Sequence, residues 1–406
     1  MTVLKDYKQF GGRHWETGSV HNILAYQGVK GPHNGQPLSE ALLLGISGGI
    51  TFGYFLFHYD GHDPQLALLT RNTFDPLQTL LERLGVVQDV RHTASPEQGR
   101  ANLLDVLDNG QPALVWADSF MLPYNHSGVD SEQMWAMLPL VVYGQDAESV
   151  YIADRSSQPL QVDAKLFLQA RGRIKKDKYR VVTLDLPGTD KLAAAVSAGI
   201  WDCINLFTEK PPRGSRNNFG LAASQHWAEM LTNTRNKQSW ARFFPPGAGM
   251  FAALLGNAYS PGLHGWVHGY GGTRQADRGR YADFLDEAAL ILKKPGLTEA
   301  AKAFRQSAAA WDTLLDIALP VDEPLLADGR RLQAEVERLF VEQGQATGND
   351  IQTLKTEFKA LRAKGREQFP LDEGQAAELR AAMAAQVLAI HDMEARAIES
   401  LKAAMA

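Results

Sequence analysis

The chain changes character along its length, and that change limits its architecture more than any single motif does. Residues 1 to about 187 are rich in glycine, aromatics and histidine, whereas those after about 297 are rich in alanine, leucine, glutamate, lysine and arginine. Short β-branched runs cut by glycine belong to sheets, and long alanine- and leucine-rich runs with charges at helical spacing belong to helix bundles. With 406 residues the chain is long enough for two domains of about 150 to 200 residues each. The turn-prone LDLPGTD at 184–190 precedes a long helical pattern. The expected division is therefore an α+β domain over 1–187 and an α-helical domain over 188–406.

Within the first part, Pro112–Asp118 (PALVWAD), Leu138–Gly144 (LPLVVYG), Ser149–Asp154 (SVYIAD) and Tyr179–Leu186 (YRVVTLDL) read as strands. SVHNILAYQG places Val20, Ile23 and Leu24 at helical spacing and stops at Gly28; DPLQTLLERLG does the same with Leu77, Leu80, Leu81 and Leu84 before Gly85. In the second part, PPRGSRNN (211–218) is a loop, and SPGLHGWVHGYGGTRQADRGR (260–280) is too glycine-rich to be helical throughout, which makes it a candidate binding loop. From YADFLDEAALILKK onward the pattern is amphipathic helix, broken at Pro320, near Gly344 to Asn349 and at Pro370. The last helix, from Glu373, has an alanine-rich face available for packing or for a homodimer contact.

Charge and cysteine content narrow the function. Forty-one basic against 46 acidic residues give a formal charge of −5, with no basic surplus to meet a phosphate backbone, so nucleic acid is not an expected partner. The single cysteine, Cys203, cannot form an intramolecular disulfide, which fits a reducing, cytoplasmic setting. The N-terminal MTVLKDYKQFGGRHWE has no apolar targeting core, and the longest apolar runs, such as ALLLGI, fall well short of the ~18–20 residues of a membrane span, so neither export nor a membrane anchor is expected.

Unusual residues concentrate in the first 75 positions. A first helix starting at Gly18 or Ser19 directs free backbone amides and a positive dipole end at what precedes it, a setting for an anion or a nucleophile; the plainer reading makes Thr17 or Ser19 an N-cap. LGISGGITFG (44–53) lacks the Lys-Ser/Thr of a phosphate loop, so close packing against a neighbouring helix is the expected use of its glycines. His58, His62 and Asp63 are metal-binding types in HYDGHD, but the spacing fits no standard ligand set, and no metal or other cofactor is expected.

The succession HWETGSVHNILAYQG, SEALLLGISGGITFGY, RNTFDP, GQPALVWADSFMLPYN, LPLVVYGQD and VYIADRSS resembles the N-terminal domain of the butirosin-biosynthesis protein H family, over roughly residues 10 to 185. YGGTRQADRGRYADFLDEAALIL resembles the glycine-rich loop and helix of the helical domain that usually follows. The resemblance implies a papain-like fold related to bacteriocin-processing cysteine peptidases and used for acyl transfer, from an acyl carrier protein to an aminoglycoside amine in the butirosin case. In such a site a thiolate at the start of the first helix attacks a thioester, a histidine shuttles the proton, and an acidic residue orients that histidine.

Two of these three slots have changed. The family's His-Cys pair corresponds to His14 and Trp15, and its histidine slot to Leu138, beside Pro139; only the orienting acid persists, as Asp154. Cys203 lies in the helical part. Members of a catalytic unit act together, so two losses leave two expectations. In one, a substitute constellation of Ser19 or Thr17, with His14 or His21 as base and Asp154 or Asp118 as orienter, transfers an acyl group from an acyl carrier protein or coenzyme A thioester to a small-molecule amine, or hydrolyses an ester or thioester. In the other, the domain is non-catalytic and binds a small molecule or protein partner, with Trp15 filling or stacking in a cleft shaped by Glu40, Arg71, Asn72, Asp75, Asp118 and Tyr124. Peptidase activity ranks last, because fold alone does not carry function.

Overall fold

The computed structural model describes residues 2–61, 63–125, 135–174, 176–257 and 259–406. Its strands are β1 (Thr2–Val3), β2 (Ile50–Phe57), β3 (Gln65–Arg71), β4 (Val87–Arg91), β5 (Ala113–Asp118), β6 (Met137–Gln145), β7 (Ser149–Ala153), β8 (Leu160–Asp163) and β9 (Val181–Asp185). Interspersed are α1 (Trp15–Tyr26), α2 (Glu40–Ile46), α3 (Pro76–Leu84), α4 (Pro96–Asp108) and α5 (Ala164–Gly172). Beyond β9 the longer described elements are helices: α6 (Leu192–Thr208), α7 (Gly220–Thr232), α8 (Trp240–Phe243), α9 (Ala248–Leu255), α10 (Gly262–Val267), α11 (Arg278–Leu292), α12 (Gly296–Ala318), α13 (Pro324–Gln343), α14 (Gly348–Glu367) and α15 (Glu373–Met405). The molecule is thus of mixed α+β character, with its strands before residue 188.

The main sheet is antiparallel, in the order β4-β9-β5-β6-β7-β8, with β1 added on β6. The four expected strands are β5, β6, β7 and β9. They were legible because both sheet faces are covered: Leu114 and Val141 join one core, while Val115, Leu140 and Val142 join another. Alternate residues point to opposite faces, so a doubly covered strand reads as an uninterrupted apolar run. Strands β4 and β8 escaped that reading, since VQDVR is largely exposed and LQVD alternates buried with exposed positions.

The β2–β3 hairpin was not expected and lies apart from the main sheet. Phe52, Tyr54, Leu66 and Leu68 pack with Trp227, Trp240 and Trp311 of the helical part. All three hydrophobic cores combine residues from before and after position 188. The glycines before the hairpin serve close approach: a Cβ on Gly45 would fall 2.3 Å from the Phe284 ring.

Two helix boundaries differ from expectation. Helix α1 begins at Trp15, not at Gly18 or Ser19, because His14 is the N-cap: its backbone is extended and its Nδ1 accepts the Glu16 N–H at 3.3 Å. Thr17 and Ser19 are therefore inside the helix. The C-terminal helical run also breaks at Lys293–Pro295, where Lys293 takes a left-handed φ of 55°, a C-terminal arrangement that lets the chain turn ahead of proline. The apolar face of α15, including Met383, Val387, Ile390 and Leu401, is buried within the molecule.

Candidate functional site

At the start of α1, the short Gly12 contact with Gly18 brings the incoming chain against the first turn; a Cβ on Gly12 would lie 2.3 Å from the Gly18 carbonyl. Glu40, in the first turn of α2, accepts from the Arg13 backbone N–H at 2.7 Å and from Thr17 Oγ1 at 3.0 Å. Arg71, ending β3, donates to Thr17 Oγ1 at 3.3 Å and doubly to Asp277, both bonds at 2.7 Å. Burial alone would raise the Asp277 pKa, but the Arg71 charge and bonds outweigh it and hold the carboxylate below its usual range. This network ties the start of α1 to α2, β3 and the chain entering α11.

The glycine-rich loop presses on the same place. Gly271 and Gly272 have φ of 67° and 77°, and added Cβ atoms would sit 2.6 Å from the Trp15 ring and 2.0 Å from the Arg13 carbonyl. Trp15 meets Tyr270 edge-on at 5.1 Å between centroids. The Arg155 guanidinium lies over the same ring, 5.1 Å from the Trp15 centroid and 5.5 Å from that of Phe340. Arg155 has a φ of 57°, a conformation that costs a non-glycine residue about 1–3 kcal/mol and so marks a position held by its surroundings.

Trp15, Tyr270, Phe340 and Arg155 wall a cavity of about 350 Å³, in the size range of small-molecule sites. It runs between the first turn of α1, the loop around α10 and the facing sides of α13 and α14. Ser260, His264, His268 and Gly269 contribute to its wall, so the segment read as a candidate binding loop does line a pocket. Burial pushes the His264 imidazole down to about 3, with His268 and Arg330 acting in the same sense. His268 is also lowered, by burial and by Arg274, which donates to its Nε2 at 2.8 Å. Both rings are neutral near pH 7.

The expected site residues divide into separate groups. His14, Thr17, Glu40 and Arg71 gather at the start of α1, with Trp15 facing the cavity. Asp154 and Tyr124 lie beside that group: Tyr124 donates to Asp154 at 3.2 Å, and Arg155 grips the carboxylate at 2.9 and 3.0 Å. Asp118 is elsewhere, accepting from the Phe120 and Ala136 amides and paired with Arg173 at 2.9 Å. Asn72 holds the Gly48 turn by donating to the Ser47 carbonyl at 2.8 Å, and Asp75 precedes α3 at a left-handed φ of 51°. His21 Nδ1 contacts the Leu38 carbonyl at 2.7 Å. Ser19 is buried within α1.

Among the described residues, no hydrogen bond joins His14, Ser19 and Asp154 to one another. The His14 pKa is pushed well below its ordinary value by burial and by Arg71, Arg280 and Arg155, which makes its imidazole a weak base. Leu138, where the resemblance expects the base, sits in β6 opposite Ala117, with Pro139 opposite Trp116. Cys203 is fully buried, and burial raises its thiol to about 12. Asp63 meets Arg366 at 3.5 Å and His58 faces the Phe243 ring, while His62 lies outside the described residues. No group of three or more His, Cys, Asp or Glu converges as a metal site among the described residues.

Sequence reasoning missed the cavity residues Arg155, Asn125, Glu337 and Phe340 and the basic side of α14. Arg155 stood next to Asp154 within a motif already singled out. The α14 residues carried only a charge pattern shared with other amphipathic helices.

No helix of the described residues is long and apolar enough to cross a membrane. No curated protein matches the chain. Residues 14–155 match the family described as Butirosin biosynthesis protein H, N-terminal, and the two ends of that match meet in the Trp15–Arg155 contact at the cavity wall. Over these residues, about a third of its length, the chain is similar to the N-terminal domain of the butirosin biosynthesis protein H family.

Proposed function

We propose that this protein is a binding member of a family associated with acyl transfer in biosynthesis, one that holds a small molecule in the cavity at the start of α1 and does not perform thiol chemistry there. The family setting supports a biosynthetic, acyltransferase-related role in general. The observation that carries the narrower reading is Trp15: where the resemblance places a nucleophilic thiol, this chain has an indole packed against Tyr270, Gly271 and Arg155 as cavity wall. The neighbouring groups support it. His14 caps a helix, and the Asp154 carboxylate is taken up by Arg155 and Tyr124. A helix start facing a cavity, with α1 laid on an antiparallel sheet, fits a papain-like scaffold reused for binding, with residues 188–406 supplying the opposite wall.

The test is a panel of acyl thioesters and p-nitrophenyl esters assayed beside ligand-dependent thermal stabilisation of the same protein. Stabilisation without turnover is expected, and Trp15→Ala should abolish it, since a ligand that binds only the folded state raises the melting temperature. Turnover that survives Cys203→Ala but disappears in Ser19→Ala or His14→Ala would instead establish the substitute constellation and overturn the binding reading.

A further inference from the structure

The charge of the cavity is opposite to that of the protein. The chain carries a net −5, yet among the described residues the wall holds Lys355, Lys359 and Arg362, together with the Asp154-paired Arg155, against one lining carboxylate, Glu337. Glu337 is itself engaged by Arg274 at 3.5 Å, and burial raises its pKa. Lys355, Lys359 and Arg362 fall at i, i+4 and i+7 of α14, so one helical face carries all three toward the same space. The same wall also carries aromatic and apolar side chains, Trp15, Tyr270 and Phe340 with Leu255, Leu332 and Val336. Such a cavity offers both basic and aromatic surface.

Resting on the binding reading above, we infer that the ligand is an amphipathic anion: a carboxylate or phosphate ester carried on an apolar, ring-bearing body. The body fits against Trp15, Tyr270 and Phe340, and the anionic group faces the basic side of α14. Aromatic faces accept planar apolar groups at modest entropic cost, and lysine and arginine together suit either a carboxylate or a phosphate. The same charges oppose a protonated amine, so an aminoglycoside-like polycation is disfavoured as the occupant of this cavity.

Isothermal titration calorimetry of the full chain with 2-naphthoate, 2-naphthyl phosphate, 2-naphthalenemethanol and 2-naphthylmethylamine tests this. Either anion should bind at least about tenfold more tightly than the neutral alcohol, with affinity falling as salt rises, and the amine should bind weakest. The naphthoate and phosphate arms distinguish a carboxylate ligand from a phosphate ester. In Lys355→Gln/Lys359→Gln/Arg362→Gln, which alters partly or fully exposed positions of one helix, anion affinity should fall about tenfold while alcohol affinity stays within about twofold. Equal binding of alcohol, amine and acid, or an unchanged anion affinity in the triple variant, overturns the anion assignment and leaves the binding reading standing. No binding by any probe overturns the assignment as well, whereas thioester turnover with retained anion preference sinks only the binding reading.

Discussion

Replacing Glu394 by glutamine is expected to be the most destabilising near-isosteric change in the helical part of the molecule. Glu394 and Arg278 are both fully buried and joined by bonds of 2.7 and 3.1 Å. The Glu394 carboxylate also accepts from Ser307 at 2.8 Å and from Trp311 Nε1 at 3.1 Å. Arg278 in turn donates to the Ala276 carbonyl at 2.7 Å and the Thr70 carbonyl at 3.3 Å, so the pair links α15 to α11, α12 and β3. The amide keeps the volume but removes the negative charge and turns an N–H₂ toward a guanidinium that can only donate. Breaking a buried pair by deleting one charge costs roughly 3–5 kcal/mol, because the other charge stays buried without compensation. Unfolding entropy near 2.1 cal/mol/K per residue amounts to about 0.85 kcal/mol/K for a chain of this length, so the melting temperature should fall by roughly 4–6 °C. Differential scanning calorimetry measures this directly. A companion double variant, Arg278→Met/Glu394→Leu, removes both charges and should be less destabilised than Glu394→Leu alone. A loss below about 1 °C in Glu394→Gln, or a double variant that simply sums the two single losses, refutes the account of a pair held by mutual compensation.

Three further outcomes follow from the packing. Because burial lowers His264 to about 3, the unfolded chain binds a proton that the folded chain refuses once pH drops below about 6.5. Stability should therefore be undiminished above that pH and decline by up to about 1.4 kcal/mol per unit toward pH 3; His264→Asn should lessen that slope in urea titrations, and an unchanged slope would contradict the assignment. The Cys203 thiol, fully buried and raised to about 12, should resist a disulfide-exchange reagent in the native protein and react at once after denaturation; rapid native labelling would show that the α6 packing opens readily. A Cβ on Gly199 would lie 2.1 Å from the Gly45 carbonyl, so Gly199→Ala must separate α6 from α2 and should cost about 1–3 kcal/mol in denaturant unfolding despite its better helix propensity; a gain in stability would refute the close crossing.

How far the sequence reaches depends on whether a feature is local. The strands PALVWAD and LPLVVYG were legible because burial on both faces leaves an uninterrupted apolar signature, and α3 was legible from its leucine spacing and the glycine that stops it. The start of α1 was misplaced by several residues because histidine is not among the usual N-caps, and only its Nδ1 bond to Glu16 marks the boundary. The hairpin β2–β3 was hidden in a segment whose glycines dominated its reading, since its partner surface is a tryptophan cluster that begins at Trp227.

For the site, the sequence alone established that Trp15 and Leu138 stand at the positions where the resemblance expects a thiol and a base, and that the sole cysteine lies elsewhere. Residue identity is sufficient for that conclusion. Only the tertiary structure decided what surrounds Trp15: Tyr270 edge-on, Arg155 over its ring, and a basic helical face from residues 355–362 lining the same cavity. Those groups are separated by up to some hundreds of residues along the chain, and charge or aromatic character becomes a binding surface only when folding brings it to one space.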